Sequence, residues 1–192
     1  INYHMKIGLY FGSFNPIHIG HLIIADTLHD RTDLDQVWFV VSPQNPLKKR
    51  QSLIHEFDRL RMVELAIEDN YQFKASDVEF SMPKPSYTID TLAYLTDQYP
   101  QHQFCLFLGS DNLTQLKRWK NYQTILDNYE IFVYPRPGEA NSFEHPNIKL
   151  IDAPLLDISA TFIRKSILAG KSVKYLLPDG VADYIKDKKL YL

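Results

Sequence analysis

The stretch GSFNPIHIGH, positions 12–21, sets two histidines, His18 and His21, three residues apart in a turn bracketed by glycines. The chain has only 7 glycines, so the use of two here asks for a reason. Gly12 lets backbone approach a ligand closely. Ser13 offers a hydroxyl and an N–H, and Asn15-Pro16 favours a turn. Gly20 lies beside His21 at the expected head of a helix, where unpaired N–H groups and about half a positive charge attract anions. Side chains at i and i+3 share a helix face. Three chemistries fit the stretch: a phosphate site, a metal site, or a turn that merely contains histidine. Two histidines with no third ligand nearby make a poor zinc site. Neither GxxxxGK[ST] nor GxGxxG is present. Paired imidazoles beside a helix dipole suit the charge that develops on a phosphate in transfer.

The surrounding segments read as alternating strands and helices. KIGLYF (6–11), QVWFVVSP (36–43), FKASDVEF (73–80), QFCLFLG (103–109), EIFVYPRPG (130–138) and NIKLIDAP (147–154) have the apolar, β-branched or aromatic character of short strands. HLIIADTLHD (21–30) carries a stripe of Leu22, Ala25 and Leu28, with Ile24 alongside. EFDRLRMVELAIED (56–69) puts Phe57, Leu60, Val63 and Ile67 on one helical face. SYTIDTLAYLTDQY (86–99) is helical until Pro100 stops it. Ser159 is a good N-cap for a helix bearing Ile163 and Ile167, with Gly170 at its C′ position. DGVADYIKDKKLYL (179–192) reads as a terminal helix. The alternation predicts a doubly wound, mostly parallel α/β sheet with helices on both faces and a small C-terminal helical part. Ligands in such folds sit at the carboxyl ends of the strands, near the switch in strand order. That points to loops 12–20, 43–52, 109–113, 135–138 and 153–159.

Composition bounds the rest. The 192 residues are 45% hydrophobic and 13% aromatic, which excludes a disordered chain and predicts one domain over residues 6–192. Residues 1–5 are expected to be a leftover of cloning or a disordered N-terminus. A formal charge of −2 gives no global basic field, so neither nucleic acid nor an anionic membrane is expected as a partner. No run approaches the ~20 apolar residues of a membrane helix, and INYHMK has no apolar core of a signal peptide. The single cysteine, Cys105, reads as a buried thiol in a reducing compartment, so a cytoplasmic location is expected.

GSFNPIHIGH resembles the [T/S]xFxPxHxGH signature of the HxGH nucleotidyltransferase superfamily, which implies a Rossmann-like fold. Three further stretches narrow the resemblance to the nicotinate-nucleotide adenylyltransferase family, over about residues 6–190. FLGSDNL (107–113) is similar to the family's (I/L)GxDxL segment, ISATFIR (158–164) to its ISxTxIR motif, and PSYTIDTL (85–92) to its PSYTxxTL segment. The chain departs from the common pattern at Ala160, where a second small hydroxyl residue is usual, and mildly at Ser110.

The resemblance implies that nicotinate mononucleotide attacks the α-phosphate of ATP, giving nicotinate adenine dinucleotide and pyrophosphate. The attacking phosphate oxygen is already anionic, so no general base and no covalent intermediate are implied. His18, His21 and Arg164 would be the catalytic set, holding phosphate oxygens. Gly12, Ser13, Phe14, Gly109, Ser110, Asp111, Ile158 and Ser159 would complete the ATP site. Asn45, Lys48, Lys49, Tyr87, Thr88, Trp119 and Arg136 would bind the mononucleotide. Trp119 would stack on its ring, and the Thr88 N–H would meet its carboxylate. Mg2+ would arrive with ATP; no dedicated carboxylate cage is visible. Oligomeric assembly stays open. Competing expectations are a phosphopantetheine adenylyltransferase, a preference for the nicotinamide nucleotide, and a nucleotide-binding sensor without turnover. A class I aminoacyl-tRNA synthetase is discounted on length and the missing KMSKS-type loop.

Overall fold

The computed structural model describes residues 4–44, 53–136 and 144–192. Its strands are β1 (Lys6–Gly12), β2 (Gln36–Val41), β3 (Phe73–Ser76), β4 (Gln103–Gly109), β5 (Ile131–Tyr134) and β6 (Ile148–Leu150). Its helices are α1 (Ile19–Asp30), α2 (Glu56–Ile67), α3 (Thr88–Gln98), α4 (Ser110–Leu113), α5 (Tyr122–Asn128), α6 (Ala160–Leu168) and α7 (Asp179–Asp187). The six strands form one sheet in the order β3-β2-β1-β4-β5-β6, and every pairing is parallel. This is the doubly wound Rossmann-like order, with the reversal between β1 and β4.

Both sheet faces are buried, so past their first residues (Lys6, Gln36, Gln103) the central strands carry only apolar or aromatic residues rather than alternating with polar ones. One face packs Tyr10, Phe39, Phe107 and Phe132 against Leu28 of α1, Met62 and Val63 of α2, Ile163 of α6 and Val181 of α7. The other packs Ile7, Leu9, Val40 and Leu106 against Leu92 and Leu95 of α3 and Ile125 and Leu126 of α5. The two cores hold β1 and β4 from above and below and leave their carboxyl ends open. α6 closes with Gly170 at a φ of 66°, where Gly170 N–H donates to Ile167 O and Lys171 N–H to Ser166 O. That is the Schellman pattern, and it requires the left-handed residue.

Several boundaries differ from expectation, each for a local reason. The fifth strand stops at Tyr134 because Pro135 cannot donate to a ladder. The third stops at Ser76, and Val78–Ser81 tightens into a 3-10 turn that buries Glu79. α1 begins at Ile19 rather than at His21: His18 is the N-cap, and the His21 N–H donates to His18 O at 2.9 Å. α2 buries Val63 and Ile67 of its expected face and half-buries Leu60, but not Phe57. Phe57 is 59% exposed while Arg59 is buried at 1%. His4 and Met5 lie against the fold, Met5 O accepting from Gln103 N–H and the His4 ring contacting Gln101 O. α4 and α5 were not anticipated. Truncating a fully buried α3 residue tests the second core: Leu92→Ala should lower unfolding stability by about 2–5 kcal/mol in urea with an unchanged m value.

Candidate active site

The carboxyl ends of β1 and β4 open into a cavity of about 650 Å³. α1 supplies its first wall. His18 has extended backbone (φ −149°, ψ 169°) and is 5% exposed. Its ring lies over Gly20, where a Cβ would fall 3.0 Å from His18 Nδ1. The ring also stacks on His21, with centroids 3.7 Å apart and planes 24° apart. The His18 N–H donates to His21 Nδ1 at 3.2 Å, so neutral His21 carries its proton on Nε2. Burial, and then the positive charge of Arg136, push His18 down to about 4. At neutral pH His18 is therefore an uncharged ring, and its buried Nδ1 has no hydrogen-bond partner among the described residues.

The turn before α1 is held tightly. Phe14 adopts a φ of 43°, left-handed and costly for a bulky residue. Its buried ring packs edge-on against Tyr10 and His21 at 5.6 and 5.2 Å. A Cβ on Gly12 would lie 2.7 Å from Phe14 Cζ. The missing side chain at Gly12 makes room for the Phe14 ring, and both residues line the cavity. Asn15 is 3% exposed; its side-chain oxygen accepts from Tyr191 Oη at 2.9 Å, and its carbonyl from Arg164 Nη1 at 2.7 Å. Arg164 also reaches Thr161 Oγ1 at 3.2 Å. It reaches the cavity wall with its fork fixed in direction. Ser159 caps α6 by accepting from Phe162 N–H at 3.2 Å, and Ile158 packs toward Gly20.

The second wall stands on β4 and β5. A side chain at Gly109 would collide with Asp111 Oδ1 and the Tyr134 ring. Arg136 Nη2 donates to Tyr134 Oη at 2.9 Å. Arg136 Nε faces Asp111 Oδ1 at 3.7 Å, too far for a hydrogen bond, and both atoms are buried without a partner among the described residues. A gap of that size between a donor and an acceptor suits a bridging hydroxyl. Ser110 does not reach the cavity. It is buried, and its Oγ accepts from the Arg136 N–H at 2.9 Å, so it fixes the neighbour expected to do the binding.

The third wall is α3 and the turn after β4. Tyr87 caps α3, Thr88 is its first residue, and Trp119 faces them across the cavity lining. Lys120 lies 5.0 Å from the Tyr87 ring centre and pairs with Asp90 at 2.8 Å. Beneath them the Glu79 carboxylate, 2% exposed, accepts from Ser86 Oγ at 2.7 Å and Thr91 Oγ1 at 2.8 Å. Burial raises its carboxyl pKa despite those bonds.

Gly12, Ser13, Phe14, His18, His21, Gly109, Asp111, Ile158, Ser159, Arg164, Tyr87, Thr88, Trp119 and Arg136 thus meet at one cavity. Asn45, Lys48 and Lys49 lie outside the described residues. Sequence reasoning missed Tyr10, Ser42, Glu79, Arg118 and Tyr134 on the same lining. Glu79 had one signal, an acid between Val78 and Phe80 a few residues before PSYT. Among the described residues no three His, Cys, Asp or Glu side chains cluster to hold a metal ion, and no helix is long and apolar enough to cross a membrane.

Residues 9–166 match the family model described as cytidylyltransferase-like. The chain is 59% identical to the protein named "Probable nicotinate-nucleotide adenylyltransferase" of Cytophaga hutchinsonii, covering 97% of this chain and 98% of that one. It is 52% identical to the one so named in Flavobacterium johnsoniae, covering 97% and 99%. The solved structure of a Plasmodium falciparum nicotinic acid mononucleotide adenylyltransferase complexed with NaAD superposes with a TM-score of 0.83. It covers 98% of both chains at 22% identity, and so shares the fold.

The buried neutral state of His18 makes stability depend on pH. The unfolded chain takes up a proton on this ring below pH ~6.5, while the folded protein refuses it until about pH 4. Stability should therefore fall as pH drops through that window. Relative to His18→Gln, the wild type should lose about 3 kcal/mol in urea titrations between the two limits. Parallel pH profiles for the two proteins would contradict the assignment.

Proposed function

Since the chain belongs to the nicotinate-nucleotide adenylyltransferase family, we propose that it transfers the adenylyl group of ATP to nicotinate mononucleotide, releasing pyrophosphate. The observation that carries this reading is convergence. The N-termini of α1, α3 and α6 all open on one cavity, through His18 and His21, Tyr87 and Thr88, and Ser159 and Thr161. Each helix end presents about half a positive charge and unpaired N–H groups. Two substrates that together bring a triphosphate, a monophosphate and a carboxylate match three such ends.

The mononucleotide phosphate oxygen attacks the α-phosphorus in line, and the bond to the pyrophosphate oxygen breaks. The attacking group is already an anion, so the protein's task is to align two anions and to neutralise the charge shared among their oxygens. His21 donates from Nε2. His18 is neutral in the empty site and donates one ring N–H; arriving phosphate favours its protonated form, which adds a positive charge where it is needed. Ser159 and Arg164 hold the leaving phosphates from α6. Asp111 receives sugar hydroxyls of adenosine, with Gly109 leaving room beside it. Arg136, expected with the mononucleotide, stands beside Asp111 and within the field of His18, and is assigned to the ATP side near the reacting phosphates. Trp119 stacks on the pyridine ring. The Thr88 N–H at the head of α3 favours an acid over an amide. Mg2+ enters as part of the ATP substrate, bound through phosphate oxygens and water, and no step is routed through a protein-held metal. The cytoplasm supplies both substrates to an enzyme of this kind.

Pyrophosphate release from ATP plus nicotinate mononucleotide tests the assignment; release with phosphopantetheine instead would overturn it. His18→Ala should lower kcat about 10²–10³-fold with the fold intact by circular dichroism. An unchanged kcat removes His18 from the mechanism. Trp119→Ala should raise KM for the mononucleotide well above any change for ATP, whereas equal changes would assign Trp119 to packing.

A further inference from the structure

One buried charge has no task in that chemistry. Arg59 of α2 is 1% exposed, and its guanidinium hydrogen-bonds no carboxylate among the described residues. It donates to main-chain carbonyls instead. Nη1 reaches Ser13 O at 2.5 Å and Ser42 O at 2.8 Å, Nη2 reaches Pro43 O at 3.2 Å, and Nε reaches Ile54 O at 3.2 Å. Burial lowers its pKa, yet a guanidinium starts so high that it stays charged.

These carbonyls belong to separate turns. Ser13 lies in the turn that leads from β1 to His18. Ser42 and Pro43 follow β2, and Ser42 lines the cavity. Near the strand ends the two turns touch directly, Ser42 N–H donating to Gly12 O at 2.9 Å. Among the described residues Nη1 of Arg59 bonds a carbonyl of each turn. The guanidinium is a rigid planar fork with five donors, so the carbonyls it grips are held at fixed spacing. The turn after β1 is gripped again one step on, where Arg164 and Tyr191 bond Asn15. Arg59 therefore controls how far apart the two turns stand, and nothing about its position lets it touch substrate.

We propose that Arg59 is a positioning residue, which sets the distance between the histidine-bearing turn and the turn after β2 and thereby the alignment of the two substrates over the cavity. This rests on the adenylyl-transfer reading. A residue with this role affects the rate of the aligned pair more than the binding of either substrate alone. A residue that only stabilises the fold lowers the melting temperature and leaves turnover per folded molecule unchanged.

The test compares wild type with Arg59→Lys, which keeps the charge but replaces the fork by one compact donor centre. Expected is a folded variant whose kcat per folded molecule is down by about 10²-fold, with each KM within about threefold of wild type. Hydrogen exchange in the unliganded protein should rise about tenfold at amides 12–18 and 42–44, with α3 and β4 unchanged. Wild-type turnover per folded molecule, or unaltered exchange in those two segments, would overturn the proposal. If wild type itself releases no pyrophosphate, the functional reading fails, and the exchange comparison alone decides the role of Arg59. Should Arg59→Lys not accumulate as folded protein, Arg59→Gln, which retains two N–H donors, takes its place with the same readouts.

Discussion

The bare α-carbon of Gly20 lets the His18 ring lie down on the first turn of α1, and the site is built outward from that contact. A Cβ at this position would fall 3.0 Å from His18 Nδ1, so the ring would have to give by a few tenths of an ångström. With the ring seated, the backbone of His18 is extended and its N–H reaches His21 Nδ1, which fixes the tautomer of the second ring. The two rings then stack with their centroids 3.7 Å apart. Burial keeps His18 uncharged until an anion arrives, so the empty site avoids the cost of an isolated buried cation.

The fold supplies the rest through its strand order. The reversal between β1 and β4 splits the crossover helices between the two faces, so α1 and α6 approach from one side and α3 from the other. Their N-termini meet over the strand ends for geometric reasons: in a parallel sheet each crossover helix starts at the edge where its strand finishes. Asp111 and Arg136 show the opposing economy. Asp111 Oδ1 and Arg136 Nε stand 3.7 Å apart, each atom buried and without a hydrogen bond among the described residues. Tyr134 and Ser110 hold Arg136 back from that contact by accepting from its Nη2 and its N–H. Asp111 Oδ1 and Arg136 Nε are thus left buried without a hydrogen bond among the described residues, at the expense of stability.

The strands and the long helices were legible because hydrophobic period and length carry that information locally. β1, β2, β4 and α3 fall within a few residues of their expected limits. The motif residues His18, Asp111, Ser159 and Arg164 converge as the loop positions require. What could not be read were roles set by distant contacts. Gly12 and Phe14 line the cavity, but the fit of the Phe14 ring into the space over Gly12 depends on a fold-back that spacing does not report. Ser110 looked like a binding hydroxyl and is a brace. In α2 an apolar stripe through Phe57 seemed the obvious buried face. Val63 and Ile67 of that stripe are buried, but Phe57 is exposed and Arg59 is buried, where four carbonyls accept from it. No helical period reports acceptors that belong to other segments of the chain.

The most direct check is a crystal structure with a non-hydrolysable ATP analogue. Phosphate oxygens should lie within hydrogen-bond distance of the His18 and His21 rings and of Arg164, with the ribose between Asp111 and Arg136. A triphosphate seated away from both imidazoles, or a ribose that leaves the Asp111–Arg136 gap open, would contradict the account.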